Sequence, residues 1–341
     1  MFQIEIALFG ASVYNRFEFL RPRGSRLQAS SASGEIPERK NNQKPLMRQG
    51  GYLFWPILTI FGGNLNPDAP WAEMLSEDTQ LPLWDGEVPG FEQAIGQRRP
   101  SITFFPAPGD GKRGCVIVMA GGSYTSKAVH EGKVVAQKIN EAGIHAAVLD
   151  YRVVPYSRDI ILLDAKRAVR YLRYHAEEMS ILPDKIGVLG FSAGGNLAFL
   201  SCAYADDGDP TAADPVERVS SRPDAMLLGY AAVMFKQEYD DDDEFDLVAY
   251  FDVVLEDSMQ FPPAFIWQSM RDGLINYQTA LTLCDTLAKR GVPVEMHLFP
   301  YGDHGQGLAA PENGDGYHPL SARWSRLMNE WLSYYKFSAK K

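Results

Sequence analysis

The sequence predicts an α/β domain whose central sheet is mostly parallel and covered by helices on both faces. Short apolar runs near 101–105, 115–120, 145–149, 185–189, 225–230, 264–268 and 294–299 alternate with helix-like segments. Such alternation builds a parallel sheet joined by crossover helices. Apolar stripes at helical spacing accompany the runs, namely Ala165, Ala168, Val169, Leu172 and Ala176 in one segment and Trp324, Leu327, Met328, Trp331 and Tyr335 in another. Both are core faces that carry no cofactor signature. A chain of 341 residues accommodates one large domain of this class, and no internal repeat divides it.

Residues 1–75 read as a flexible leader, because Arg16, Arg21, Arg23 and Arg26 are mixed with Ser30-Ser31-Ala32-Ser33-Gly34 and no core pattern appears. Within it, 47–63 looks like a signal peptide: Met47-Arg48 precede the apolar run from Tyr52 to Phe61, too short to span a bilayer. A start at Met47 implies export. The alternative is a short segment packed on the main domain of a cytoplasmic protein. The α/β domain itself covers 76–341.

The most informative stretch is Gly190-Phe191-Ser192-Ala193-Gly194. Lys185 to Leu189 before it reads as a buried strand, and Ala193 to Ala205 after it as an Ala- and Leu-rich helix. A serine held on a tight strand-to-helix turn stands clear of the sheet edge, and glycines let the two backbones pass closely enough to make that turn. In this context the motif is a nucleophile elbow.

A serine is a weak nucleophile until an imidazole takes its proton and a carboxylate orients the imidazole. With this elbow the chain order is Ser, acid, His. Downstream lie His297, His304 and His318. His297 falls in the alternating run Val294 to Phe299 and reads as a sheet-face residue. His304 occupies the glycine-flanked loop Tyr301-Gly302-Asp303-His304-Gly305, just past that strand, where parallel sheets place their chemistry. His318, in another turn-like stretch, is the weaker candidate. Asp272 follows the strand Pro263 to Trp267 in the loop Gln268 to Gly273, one strand before His304; Asp252 and Asp257 lie upstream of that strand. An Asp before Gly is commonly a plain turn residue, but in series with Ser192 and His304 it reads as the acid.

Oxyanion donors are expected from the N–H of Ala193, after the nucleophile, and from the loop Gly121-Gly122-Ser123-Tyr124 that ends the strand Cys115 to Ala120. Gly122 and Ser123 are the loop donors assigned. An ordinary strand-to-helix turn is the alternative for these glycines.

From about Leu81 to Tyr335 the chain resembles the α/β-hydrolase superfamily, and more narrowly its acetylxylan-esterase-like and feruloyl-esterase-like carbohydrate esterases. The resemblance is carried by Leu83-Trp84-Asp85-Gly86-Glu87-Val88-Pro89-Gly90, by Ala120 to Tyr124 with His130-Glu131-Gly132, by Leu149 to Pro155, and by Phe191 to Asn196. It implies an esterase acting on acylated sugars. Two positions depart from the pattern. Ala120 and Ser123 stand where relatives carry Pro or His followed by three glycines, and Gln268 stands where they often carry His.

The net charge of −10 disfavours nucleic acid and anionic membrane as partners and leaves neutral sugar esters open. The acidic run from Glu238 to Asp246 lacks the glycine turn and spaced ligands of an EF-hand and reads as a solvated loop. His130-Glu131 has no second histidine at i+4, so no metal site is read there. Cys115, Cys202 and Cys284 are scattered and read as small apolar residues without a disulfide framework. No cofactor is called for. The function classes left are a serine esterase on a small-molecule or oligosaccharide ester, a peptidase or amidase using the same residues, and a binding module that kept the fold without the chemistry.

Overall fold

The computed structural model describes residues 80–235, 251–309 and 318–339. The leader, its 47–63 segment and the Glu238–Asp246 run lie outside the described residues.

The predicted strands form within a residue or a few of their expected positions: β2 (Ser101–Phe105), β3 (Arg113–Met119), β4 (His145–Asp150), β5 (Ile181–Phe191), β6 (Ala225–Gly229), β9 (Ala264–Ser269) and β10 (Val294–Phe299). A short strand not anticipated, β1 (Gln80–Pro82), adds to the edge. Together they make one eight-stranded sheet in the order β1-β2-β4-β3-β5-β6-β9-β10. β1 and β2 run antiparallel to their neighbours, and all remaining pairs are parallel. Two further short strands, β7 (Met234–Phe235) and β8 (Asp252–Val253), pair outside this sheet.

The central strands are apolar along their whole length because both faces are covered, as in Val116, Ile117 and Val118 of β3, all fully buried. One face carries α1 (Lys133–Asn140) and α5 (Trp324–Tyr334), whose Val135, Ala136, Ile139, Trp324, Met328 and Leu332 pack with Val116, Val118, Leu227 and Phe265. The other carries α2 (Arg158–Tyr174), α3 (Ser192–Ala203) and α4 (Tyr277–Lys289), meeting Ile117, Met119, Val188 and Met226. Both stripes read from the sequence thus face the sheet. Every residue of α3 is buried, which explains a composition apolar all round instead of on one stripe.

Helix ends follow local chemistry. Ser157 caps α2 by accepting from Ile160 N, and Asn276 caps α4 by accepting from Gln278 N at 3.0 Å. Cys115 and Cys202 are buried, and burial pushes both thiols up, away from the reactive thiolate.

After β3 the chain turns to β4 on one side and then crosses to β5 on the other, so the strand order reverses between β3 and β5. Loops leaving these two strands diverge to opposite faces and open a crevice at the carboxyl ends. The loop after β3 and the elbow after β5 flank that crevice, with Met119 opposite Gly190 in the register.

Candidate functional site

At the end of β5 the backbone turns from extended Phe191 (φ −118°) to Ser192 with φ 51°, and α3 starts there. A non-glycine residue at positive φ stores strain that surrounding packing must hold. Close approach explains the glycines on either side. A Cβ on Gly190 would strike the carbonyl of Gly194, and one on Gly194 would strike the carbonyls of Met119 and Ala120. Side chains at either place would push α3 off the sheet and carry Ser192 away with it.

His304 lies in the loop after β10, and its two ring nitrogens have separate partners. Nε2 is 2.8 Å from Ser192 Oγ, and Nδ1 is 2.8 Å from Asp272 Oδ2. A carboxylate only accepts, so Nδ1 carries the proton and Nε2 presents its lone pair to the serine hydroxyl. The Asp272 side chain is fully buried and the His304 side chain is 16% exposed. Beyond the imidazole, Asp272 accepts from Leu274 N at 2.9 Å and Ile275 N at 2.8 Å through Oδ1, and from Gln268 Nε2 at 3.1 Å through Oδ2. Burial of this carboxylate is therefore matched by donors on both oxygens. Asp303 fastens the two loops to each other, its Oδ1 accepting from His304 N at 2.8 Å and Gly273 N at 3.1 Å.

The other candidates are placed elsewhere. His297 is on β10 and pairs with Glu295 at 2.9 Å, with its ring against Phe265. The His318 ring packs on Tyr301, and its Nδ1 accepts from Leu320 N at 3.2 Å, a local turn role. Asp252 lies on β8, and Asp257 is exposed beyond it.

On the opposite side of the crevice the loop after β3 takes an unusual path, with positive φ at Gly122 (133°), Ser123 (53°) and Tyr124 (56°). Gly122 is required twice over, by its φ and because a Cβ there would run into the Ser126 carbonyl. Its own carbonyl accepts from Thr125 N at 2.9 Å and Ser126 N at 3.1 Å, closing a turn. Among the described residues no protein acceptor is assigned to the N–H of Gly122, Ser123 or Ala193. For Ala193 this is the ordinary state of a helix first turn. The loop abuts the elbow: a Cβ on Gly121 would lie 2.9 Å from Ser192 Cβ. Tyr124 is anchored below, its hydroxyl donating to Asn196 Oδ1 at 2.9 Å.

Two buried residues in the same region escaped the sequence reading. Glu131 accepts from Gly121 N at 2.6 Å through Oε2 and from the Tyr230 hydroxyl at 2.5 Å through Oε1. Tyr230, at the end of β6, also accepts from Gly307 N at 2.8 Å, and its ring sits edge-on to His304 at 5.0 Å. His130-Glu131-Gly132 carries part of the family resemblance and no metal signature, but nothing in it marks Glu131 as the partner of Gly121 and Tyr230. A lone acid or tyrosine gives no sign of burial in the sequence. Among the described residues no cluster of His, Cys, Asp and Glu able to hold a metal occurs.

Comparison with known proteins places this geometry. Residues 103–222 match the BD-FAE family, and residues 164–329 match the prolyl oligopeptidase family. An acetyl ester-xyloside bifunctional hydrolase from Caldicellulosiruptor lactoaceticus superposes with a TM-score of 0.66 at 35% identity, covering 76% of this chain and 97% of that one. Among curated proteins, an endo-1,4-beta-xylanase B from Butyrivibrio fibrisolvens is 28% identical over 252 residues, 69% of this chain and 39% of the relative. An acetylxylan esterase from Xylanibacter ruminicola is 26% identical over 212 residues, 61% of this chain and 43% of the relative. The chain therefore spans about two fifths of the length of these curated relatives. With its sheet order, its elbow and the similarity to the Caldicellulosiruptor enzyme across nearly that whole protein, the chain belongs to the α/β-hydrolase superfamily, beside acetylxylan-esterase-like and feruloyl-esterase-like members.

Proposed function

We propose that the chain is a serine carboxylic ester hydrolase that removes acyl groups, acetyl or feruloyl, from carbohydrate. The observation that carries the reading is the bridge made by His304 between Ser192 Oγ and Asp272 Oδ2, 2.8 Å on each side. In this mechanism His304 Nε2 takes the hydroxyl proton as Ser192 Oγ bonds to the ester carbonyl carbon. The resulting oxyanion lies against the N–H groups of Gly122, Ser123 and Ala193. Removing one such donor typically costs about 100- to 1000-fold in turnover. The intermediate collapses by breaking the bond to the alkoxy oxygen, which leaves as the alcohol with the proton from His304. Water then gives a proton to the same nitrogen and attacks the acyl-serine, and the acyl C–Oγ bond breaks as His304 passes that proton to Ser192 Oγ, releasing the acid and restoring Ser192. Asp272 stays ionised throughout and stabilises the imidazolium.

Sugar esters as substrates rest on the relatives, two of which carry names describing acetyl ester or acetylxylan hydrolysis. The match to the prolyl oligopeptidase family favours one second reading, an amidase or peptidase using the same residues. The complete set of nucleophile, base, acid and donors weighs against a binding module.

The test is hydrolysis of p-nitrophenyl acetate by wild-type protein and by Ser192→Ala, followed by a panel of acetylated xylan, feruloyl esters and peptide amides. Loss of the nucleophile should lower turnover on the order of a million-fold with the fold unchanged. A variant that keeps more than a few per cent of the rate, contamination excluded, disproves the assignment. Cleavage of amides but not sugar esters would transfer the conclusion to the second reading.

A further inference from the structure

We infer that Glu131 is a positioning residue that ties the loop carrying the oxyanion donors to the loop carrying the histidine, with Tyr230 as the connecting link. This rests on the catalytic reading of Ser192, His304 and the Gly122–Ser123 loop. The geometry is a continuous buried chain: Gly121 N donates to Glu131 Oε2, Tyr230 Oη donates to Glu131 Oε1, and Gly307 N donates to Tyr230 Oη, at 2.6, 2.5 and 2.8 Å. Gly121 immediately precedes the proposed donors, and Gly307 follows His304 by three residues. One carboxylate thus links the two loops, directly at Gly121 and through the Tyr230 hydroxyl at Gly307.

Several features indicate that the chain sets alignment. Glu131 and Tyr230 are each 1% exposed, so water does not substitute for either link. Glu131 engages both oxygens as acceptors, so an isosteric amide must either oppose its NH2 to Gly121 N–H or turn the Tyr230 hydroxyl from donor to acceptor. Desolvation and the neighbouring Glu131 hold the Tyr230 phenol well above its ordinary pKa, so it remains a donor. The adjacent His130 adds a second tie, Nε2 to Gly305 O at 2.7 Å. The carbonyl of the same peptide unit is held by Tyr151, whose hydroxyl donates to Ala120 O at 2.5 Å. With Tyr151 in place, loss of Glu131 removes the hold on the N–H side of that peptide and leaves its carbonyl side fixed, so the peptide and the donors that follow it tilt instead of unfolding.

The consequence is a defect in transition-state binding and not in substrate binding. A misplacement of about 1 Å in a catalytic group can cost on the order of 100-fold. Glu131→Gln should therefore lower kcat on p-nitrophenyl acetate by roughly 10- to 100-fold, with KM within about threefold. Affinity for an alkyl boronic acid that forms a tetrahedral adduct on Ser192 should fall by the same factor as kcat/KM. Tyr230→Phe keeps the ring against His304 and removes only the hydroxyl, so it should show the same pattern more weakly, by about five- to tenfold.

Rates are taken per active site, titrated with a fluorophosphonate, so that loss of folded protein does not pass for loss of turnover. Wild-type kcat per site in both variants overturns the inference. A lower kcat with unchanged boronic-acid affinity also overturns it, since a merely structural role would act in that way. If Glu131→Gln does not fold, Tyr230→Phe decides alone by the same two measurements. Failure of the catalytic reading is separate and visible, because Ser192→Ala would then remain active.

Discussion

Gln268 donates its side-chain amide to the Asp272 carboxylate at 3.1 Å and to Ile275 O at 2.8 Å. The position that departs from the family pattern thus retains a neutral donor beside the acid. It also pins the loop that carries Asp272 back onto β9, so the orientation of the carboxylate depends on the fold and not on the imidazole alone.

Replacing the partners of Ser192 should separate their roles. His304→Ala is expected to match Ser192→Ala, because the base and the nucleophile act as one unit. Asp272→Asn should lower kcat by about 10,000-fold through the wrong imidazole tautomer, because the amide oxygen stays on the Leu274 and Ile275 N–H groups and the amide NH2 then faces His304 Nδ1. His318→Ala should turn over normally, as its ring lies on Tyr301. Steady-state rates on p-nitrophenyl acetate measure all three, and an inactive His318 variant beside an active His304 variant would reverse the choice of base.

A second expectation concerns the buried pair behind the loop that follows β4. Arg152 places Nε at 3.1 and 3.0 Å from the two Asp164 oxygens, and both side chains are fully buried. The same guanidinium donates to Pro89 O at 2.7 Å, tying the Leu83–Gly90 segment to the domain. Asp164→Ala leaves a buried cation without its counter-charge and should destabilise the protein by about 3–5 kcal/mol. Urea unfolding compared with wild type gives the value, and a loss below about 1 kcal/mol would contradict it.

The third expectation is a pH dependence of stability seated at His145. Burial, followed by the nearby Arg113 charge, lowers its pKa from 6.5 to about 3. Its Nδ1 accepts from Ala107 N at 2.9 Å, a role open only to the neutral ring. Below pH 6.5 the unfolded chain takes up a proton that the folded protein refuses until about pH 3. Its contribution is thus complete above pH 6.5 and is lost as the pH falls toward 3, at up to about 1.4 kcal/mol per pH unit. His145→Phe should reduce the slope of unfolding free energy against pH by about one proton in that window. Equal slopes in the two proteins, from denaturant unfolding at several pH values, would refute the assignment.

The sequence by itself determined the α/β class and all seven principal strands and singled out Ser192, Asp272 and His304 as candidates, because each is marked by local pattern. Strands buried on both faces must be apolar throughout, and helices on a sheet must carry a stripe. The glycines around Ser192 announce a close backbone approach that no side chain permits. Distance was another matter. Ser192 and His304 are 112 residues apart, and no local rule brings them to 2.8 Å; that follows from β5, β6, β9 and β10 lying side by side in parallel, so that their carboxyl-end loops meet. Nor could local pattern reveal Glu131 and Tyr230, 99 residues apart, since an acid and a phenol become a buried pair only when two loops close over them. Periodicity reports which face of an element is dry, whereas the partner of a buried polar group is chosen by topology alone.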